Sequence, residues 1–127
     1  MSVKISRILH AGYVFEYEGT RIVFDPIFEN PFSRNCFAYP NVEFDHEKIR
    51  QLKFDALFIS HFHDDHCSLE SLNLLDRSIP IYLFCVYEEI FSMIRKLGFK
   101  YVYSLKLGET VVVGKMNVTT HKALDED

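Results

Sequence analysis

The stretch ISHFHDDHCS, residues 59 to 68, places three histidines and two aspartates in six consecutive positions directly behind an apolar run. Imidazole and carboxylate are the ligands of divalent transition metals, and their mixture favours zinc, with iron or manganese as alternatives. His61 and His63 are two apart, so on an extended backbone their side chains leave from one side, as two ligands of one ion require. Asp65 and His66 are adjacent and diverge, which suits a second ion about 3.5–4 Å from the first, as in binuclear hydrolases. A solvated run of polar loop residues is the plain alternative. The density of ligand types at this spacing argues against it.

Something must hold these residues at one point. FDALFIS, just before the cluster, is apolar at nearly every position and reads as a central strand covered on both faces. The cluster then lies beyond the carboxyl end of that strand, where open α/β sheets place their ligands. Ahead of it, strands are expected over Lys4–His10, Tyr13–Tyr17 and Arg21–Phe24, with Glu18-Gly19-Thr20 as the turn between the last two. Pro26 to Lys48 reads as a long loop, rich in aromatic residues and therefore packed, and a short helix follows around His46–Leu52. Behind the cluster, SLESLNLLDR has Ser68 as an N-cap for a helix, and IPIYLFC reads as the next buried strand. YEEIFSMIRKLG presents Ile90, Phe91, Ile94 and Leu97 on one helical face and ends at Gly98. YVYSLKLGETVVVGKMNVTTH returns to strands, with turns near Gly108 and Gly114. This order implies one α/β domain over residues 1–127, with parallel neighbours and flanking helices.

Composition narrows the function. The chain has 127 residues, 48% of them hydrophobic, enough for a single core. A net charge of -4 with no basic stripe argues against nucleic acid as a partner. No apolar segment reaches membrane-spanning length and the start does not read as a signal peptide. Cys36, Cys67 and Cys85 are odd in number and sparse, which points to a reducing, cytoplasmic setting. Cys67 reads as a small buried residue opening a helix, and His46 as surface.

SHFHDDH resembles the His-x-His-x-Asp-His signature of the metallo-β-lactamase superfamily. ILHAGYVFEYEGTRIVFDP is similar to the opening β-meander of its lactonase-like and phosphodiesterase-like branches, and GKMNVTTH to the later strand that delivers a further histidine. The resemblance implies half of an αβ/βα sandwich, with a mixed sheet and flanking helices. It makes His61, His63 and His121 ligands of one metal, and Asp65 and His66 ligands of a second, with Asp65 also orienting the attacking hydroxide. Asp64 falls on a variable position. His10 is expected to line the site, and Asp25, before Pro26, to orient a ligating histidine rather than to ligate.

Family members continue past the histidine equivalent to His121, so this chain is expected to be an amino-terminal half. It would need a second copy or the other half to cover FDALFIS, IPIYLF and TVVV, with Asp125 or Asp127 as ligands offered across such an interface. Three functions stay open. The first is a metal-dependent hydrolase of a small-molecule ester, lactone or phosphodiester. The second is a diiron oxygenase, like relatives of the sialic-acid hydroxylases, although His63 stands where flavodiiron members carry glutamate. The third is a non-catalytic metal-binding assembly module.

Overall fold

The computed structural model describes residues 2–33 and 36–122. A six-stranded sheet runs in chain order: β1 (Lys4–Arg7), β2 (Tyr13–Tyr17), β3 (Thr20–Phe24), β4 (Ala56–Ile59), β5 (Ile81–Leu83) and β6 (Val102–Ser104). The first three are antiparallel, and β3 to β6 pair in parallel, so the sheet is mixed. The β2–β3 hairpin turns through Glu18 and Gly19, whose φ angles of 46° and 80° suit a tight two-residue turn. A separate antiparallel hairpin, β7 (Thr110–Val113) with β8 (Met116–Thr119), lies outside that sheet.

Three helices fill the connections: α1 (His46–Arg50), α2 (Leu69–Leu72) and α3 (Glu88–Lys96). Asp45 caps α1 by accepting the amides of Glu47 and Lys48, and Ser68 caps α2 by accepting that of Ser71 at 3.1 Å. The third helix has no side-chain cap. Instead, Glu88 and Glu89 in its first turn and Arg95 and Lys96 in its last complement the helix dipole. Beyond it, Gly98 takes the left-handed φ of 111° that ends the helix.

Alternation along the strands divides the core. Val23, Leu57, Ile59, Ile81 and Leu83 face one way and pack on Ile49, Leu72, Phe91 and Ile94 of the helices. Ile22, Ala56 and Phe58 face the other way and meet Val111, Val113, Met116 and Val118 of the β7–β8 hairpin. All four residues of β4 are buried, as its unbroken apolar sequence requires when both faces are covered. On the hairpin side, Tyr13, Phe24, Phe58, Tyr82 and Tyr103 are in cross-strand register. Phe58 at the centre stacks on Phe24 and Tyr82 with centroids 5.1 and 4.9 Å away. Exposure rises from 2% at Phe58 to 36% at Tyr13 and 44% at Tyr103, so the hairpin covers the middle of this face and not its margins.

The hairpin is pinned at its tip. Gly114 has φ 54° and lies so close to the buried Thr20 that a Cβ there would clash with Oγ1. The same Oγ1 accepts the Lys115 amide at 3.0 Å. The long loop from Pro26 packs through Ile27, Phe28 and Phe32, while Asn30 closes it on itself through both the amide and carbonyl of Ala38. No helix among the described residues is long and apolar enough to cross a membrane.

Two expectations from sequence are corrected. The first strand ends at Arg7 instead of His10, because the Ile8 amide donates to the Gly12 carbonyl and the Gly12 amide to the Leu9 carbonyl, each at 2.8 Å, closing a turn in which His10 takes φ 54°. The histidine cluster is not on extended backbone either. After Ile59 the chain bends and turns, with the amides of His66 and Cys67 both donating to the carbonyl of His63.

Candidate metal centre

Three loops at one end of the sheet converge. The β1–β2 turn brings His10, the end of β3 brings Asp25, and the turn after β4 brings Ser60 through His66. Gly12 makes the first approach feasible, since a Cβ there would lie 3.1 Å from the carbonyls of both Asp25 and Leu9. Asp25 itself adopts φ 43°, a left-handed conformation that costs about 1–2 kcal/mol in a non-glycine residue. Its amide donates to the carbonyl of Phe58 at 2.9 Å, which ties the end of β3 to β4.

Asp25 is 6% exposed and fully engaged. Its Oδ1 accepts the Ser60 amide and its Oδ2 the Ser60 hydroxyl, each at 2.7 Å. His66 Nδ1 stands 2.8 Å from the same Oδ2, and because a carboxylate only accepts, that nitrogen carries the proton. The Ser60 hydroxyl has spent its single proton on Asp25, so it accepts from His61 Nδ1 at 2.9 Å. Both imidazoles are thus fixed in the tautomer that leaves Nε2 with its lone pair. This is the arrangement by which outer carboxylates orient ligating histidines.

The remaining side chains close around them. The ring centroid of His61 lies 4.7 Å from that of His63 and 4.0 Å from that of His66. Asp65 Oδ2 is 3.0 Å from His10 Nε2 and 3.5 Å from His66 Nε2. Burial lowers the pKa of His61, helped by the neighbouring His66 and His63, so its imidazole is neutral at neutral pH and free to donate electrons. Burial works to raise the Asp65 carboxyl, but the hydrogen bond from His10 and the nearness of the His66 ring outweigh it and hold the group below its ordinary value.

Two donor sets result among the described residues, with ligand atoms within 4.8 Å of one another: His61, His63 and Asp65, and His10, Asp65 and His66. Asp65 belongs to both. Imidazoles beside a carboxylate, with His61 and His66 already oriented from behind, fit a transition-metal ion. His121 is exposed, two residues past the end of β8, and belongs to neither set. Asp125 and Asp127 lie outside the described residues. Sequence reasoning missed Ser60, whose only signal was a hydroxyl ending an otherwise apolar strand. Asp64 accepts from the Ser33 hydroxyl at 2.6 Å. His46 is exposed at the start of α1, and Cys67 is 7% exposed.

The chain is similar in structure to an isothiocyanate hydrolase from Delia radicum gut bacteria, at 23% identity and a TM-score of 0.58 over 80% of this chain and 41% of that one. It is also similar to the diiron β-hydroxylase CmlA from Streptomyces venezuelae (21%, 0.66, 96% of this chain and 24% of that one). A third likeness is to the metallo hydrolase Igni18 from Ignicoccus hospitalis (22%, 0.56, 87% and 42%). The chain therefore spans less than half the length of each of these solved structures, which share its fold. No curated protein matches it. Residues 4–127 match the family described as a beta-lactamase superfamily domain. With a mixed α/β sheet that forms part of the metallo-β-lactamase fold, the chain belongs to that superfamily.

Proposed function

We propose that the protein is a metal-dependent hydrolase of small-molecule esters, lactones or phosphodiesters, built on a binuclear zinc site. The observation that carries this reading is the sharing of Asp65 between two oriented histidine sets. His61, His63 and Asp65 would hold one ion, and Asp65 and His66, with His10 beside them, a second; His121 is a further ligand in this proposal. Zinc held there would lower the pKa of a bound water to about 7 and polarise the scissile carbonyl or phosphoryl oxygen.

The chain's own residues supply the rest. Asp25 and Ser60 keep the imidazoles of His66 and His61 turned toward the centre. Asp65, ionised beside His10, accepts a hydrogen bond from the attacking water and so aims it.

Equilibrium dialysis with zinc, followed by turnover of p-nitrophenyl acetate, a γ-lactone and bis-p-nitrophenyl phosphate, tests the proposal. Stoichiometric zinc that is abolished in a His61→Ala/His63→Ala double variant, together with turnover of one of the three, is the expected result. Undiminished zinc in the double variant would overturn the ligand assignment. Protein grown with both metals that retains iron at stoichiometry and turns over none of the three would favour the diiron reading.

A further inference from the structure

Phe62 stands between two of the histidines and points to what the site accepts. Its ring meets His63 edge to face with centroids 5.0 Å apart, and Tyr87 in the same manner at 5.1 Å. Tyr87 comes from the loop after β5, so the pair joins the loops that follow two adjacent parallel strands. Despite these contacts Phe62 is 40% exposed and Tyr87 51%, and the preceding Val86 is 86% exposed. Neither core cluster of the sheet includes these three residues.

The opposite side of the centre is built differently. There, His10 packs on Phe32, which is 7% exposed and belongs to the core of the long loop. Apolar surface is thus offered to solvent on the His63 side, in direct ring contact with a donor side chain. Ligand sites are mostly apolar, with a few polar groups fixing orientation, and open α/β sheets bind at the carboxyl ends of their strands.

We propose that Phe62 and Tyr87, with Val86 beside them, form an apolar wall that takes an alkyl or aryl substituent of the substrate while its polar reacting group lies at the histidines. The substrate class is thereby narrowed to amphiphilic molecules with a hydrocarbon arm next to the scissile group. This rests on the metal-centre reading above.

Linear alkyl hydroxamates test it without requiring turnover. Each carries the same zinc-chelating head, and only the tail length varies. Calorimetric titration of the zinc-loaded chain with acetohydroxamate through pentanohydroxamate should show affinity rising about fourfold per methylene, on the order of 50-fold across the series. In Phe62→Ala and Tyr87→Ala that gain should fall below about fivefold, whereas Phe62→Leu, still apolar, should keep most of it. A role confined to steadying His63 would weaken every hydroxamate equally and leave the tail dependence intact, which overturns the proposal. Sedimentation that shows a dimer dissociated by Phe62→Ala would make the wall a contact between copies, and also overturns it. If zinc and acetohydroxamate bind but longer tails add nothing, the wall alone fails. If zinc itself does not bind, the metal-centre reading fails and the wall with it.

Discussion

His66 and Asp25, 41 positions apart in the chain, are joined by a 2.8 Å bond from the imidazole Nδ1 to a carboxylate oxygen that the Ser60 hydroxyl also reaches. One buried carboxylate therefore sets the orientation of two imidazoles, His66 directly and His61 through Ser60. Asp25→Asn removes the charge and one acceptor without changing size. Zinc affinity, read by competition with a chromophoric chelator, should fall about 10- to 100-fold. An unchanged affinity would mean that the imidazoles find their orientation without Asp25.

A second prediction concerns the tip of the β7–β8 hairpin. Gly114→Ala combines a left-handed backbone with a clash against Thr20, so it should cost about 2–4 kcal/mol in urea unfolding. Gly108→Ala is the control: its φ is 78° but nothing lies within 4 Å of the added carbon, so only the backbone penalty of about 1–2 kcal/mol applies. Equal losses in the two variants would show that the contact with Thr20 contributes nothing.

Acid sensitivity has a defined contributor at Asp76. The Ser78 amide and hydroxyl, with Lys53, bring its carboxyl down from 3.8 to about 2. A carboxyl depressed in the folded state stabilises fully above its unfolded value and loses that contribution as pH falls through the folded one. The stability advantage of the wild-type chain over Asp76→Asn should therefore be constant above about pH 4 and shrink between 4 and 2. The group is exposed to solvent, so the advantage will be small and reduced by salt. An advantage that does not change over this range would rule out the ionised Asp76 as its source.

The thiols should separate by reactivity. Burial pushes Cys67 up to about 12, reinforced by Asp25 and Cys85, so at pH 8 only about one part in ten thousand is thiolate. Cys36 is exposed. Iodoacetamide at pH 8 followed by peptide mass spectrometry should label Cys36 and leave Cys67 unmodified until denaturant is added. Early labelling at Cys67 would show that the loop behind His66 opens in the native state.

Much of this architecture is readable in the sequence because its signals are local. The unbroken apolar run of β4, the cap at Ser68, and the glycines at 98, 108 and 114 each report on a few neighbouring residues. The metal-loving cluster is legible for the same reason, since its donors are contiguous. What the sequence hides is contact at a distance. His10 meets Asp65 across 55 positions only because β1 stops short in a turn, and Ser60 becomes the hub of the site only once Asp25 is placed opposite it. The position of the β7–β8 hairpin against the face carrying Phe58 depends on the fit of Gly114 to Thr20, which no periodicity announces.

The sheet is ordered β1 to β6 as the chain is written. During synthesis each strand leaving the ribosome thus finds its partner already in place, and no later segment has to be threaded between two that have paired. Only the β1–β2 and β2–β3 hairpins close short loops; the parallel pairings from β3 to β6 span long connections and form more slowly. Both candidate donor sets among the described residues are complete by residue 66, so the nascent chain carries those side chains before β5 is translated. The β7–β8 hairpin is made after β6, and the middle of the face carrying Phe58 stays open to water until it docks.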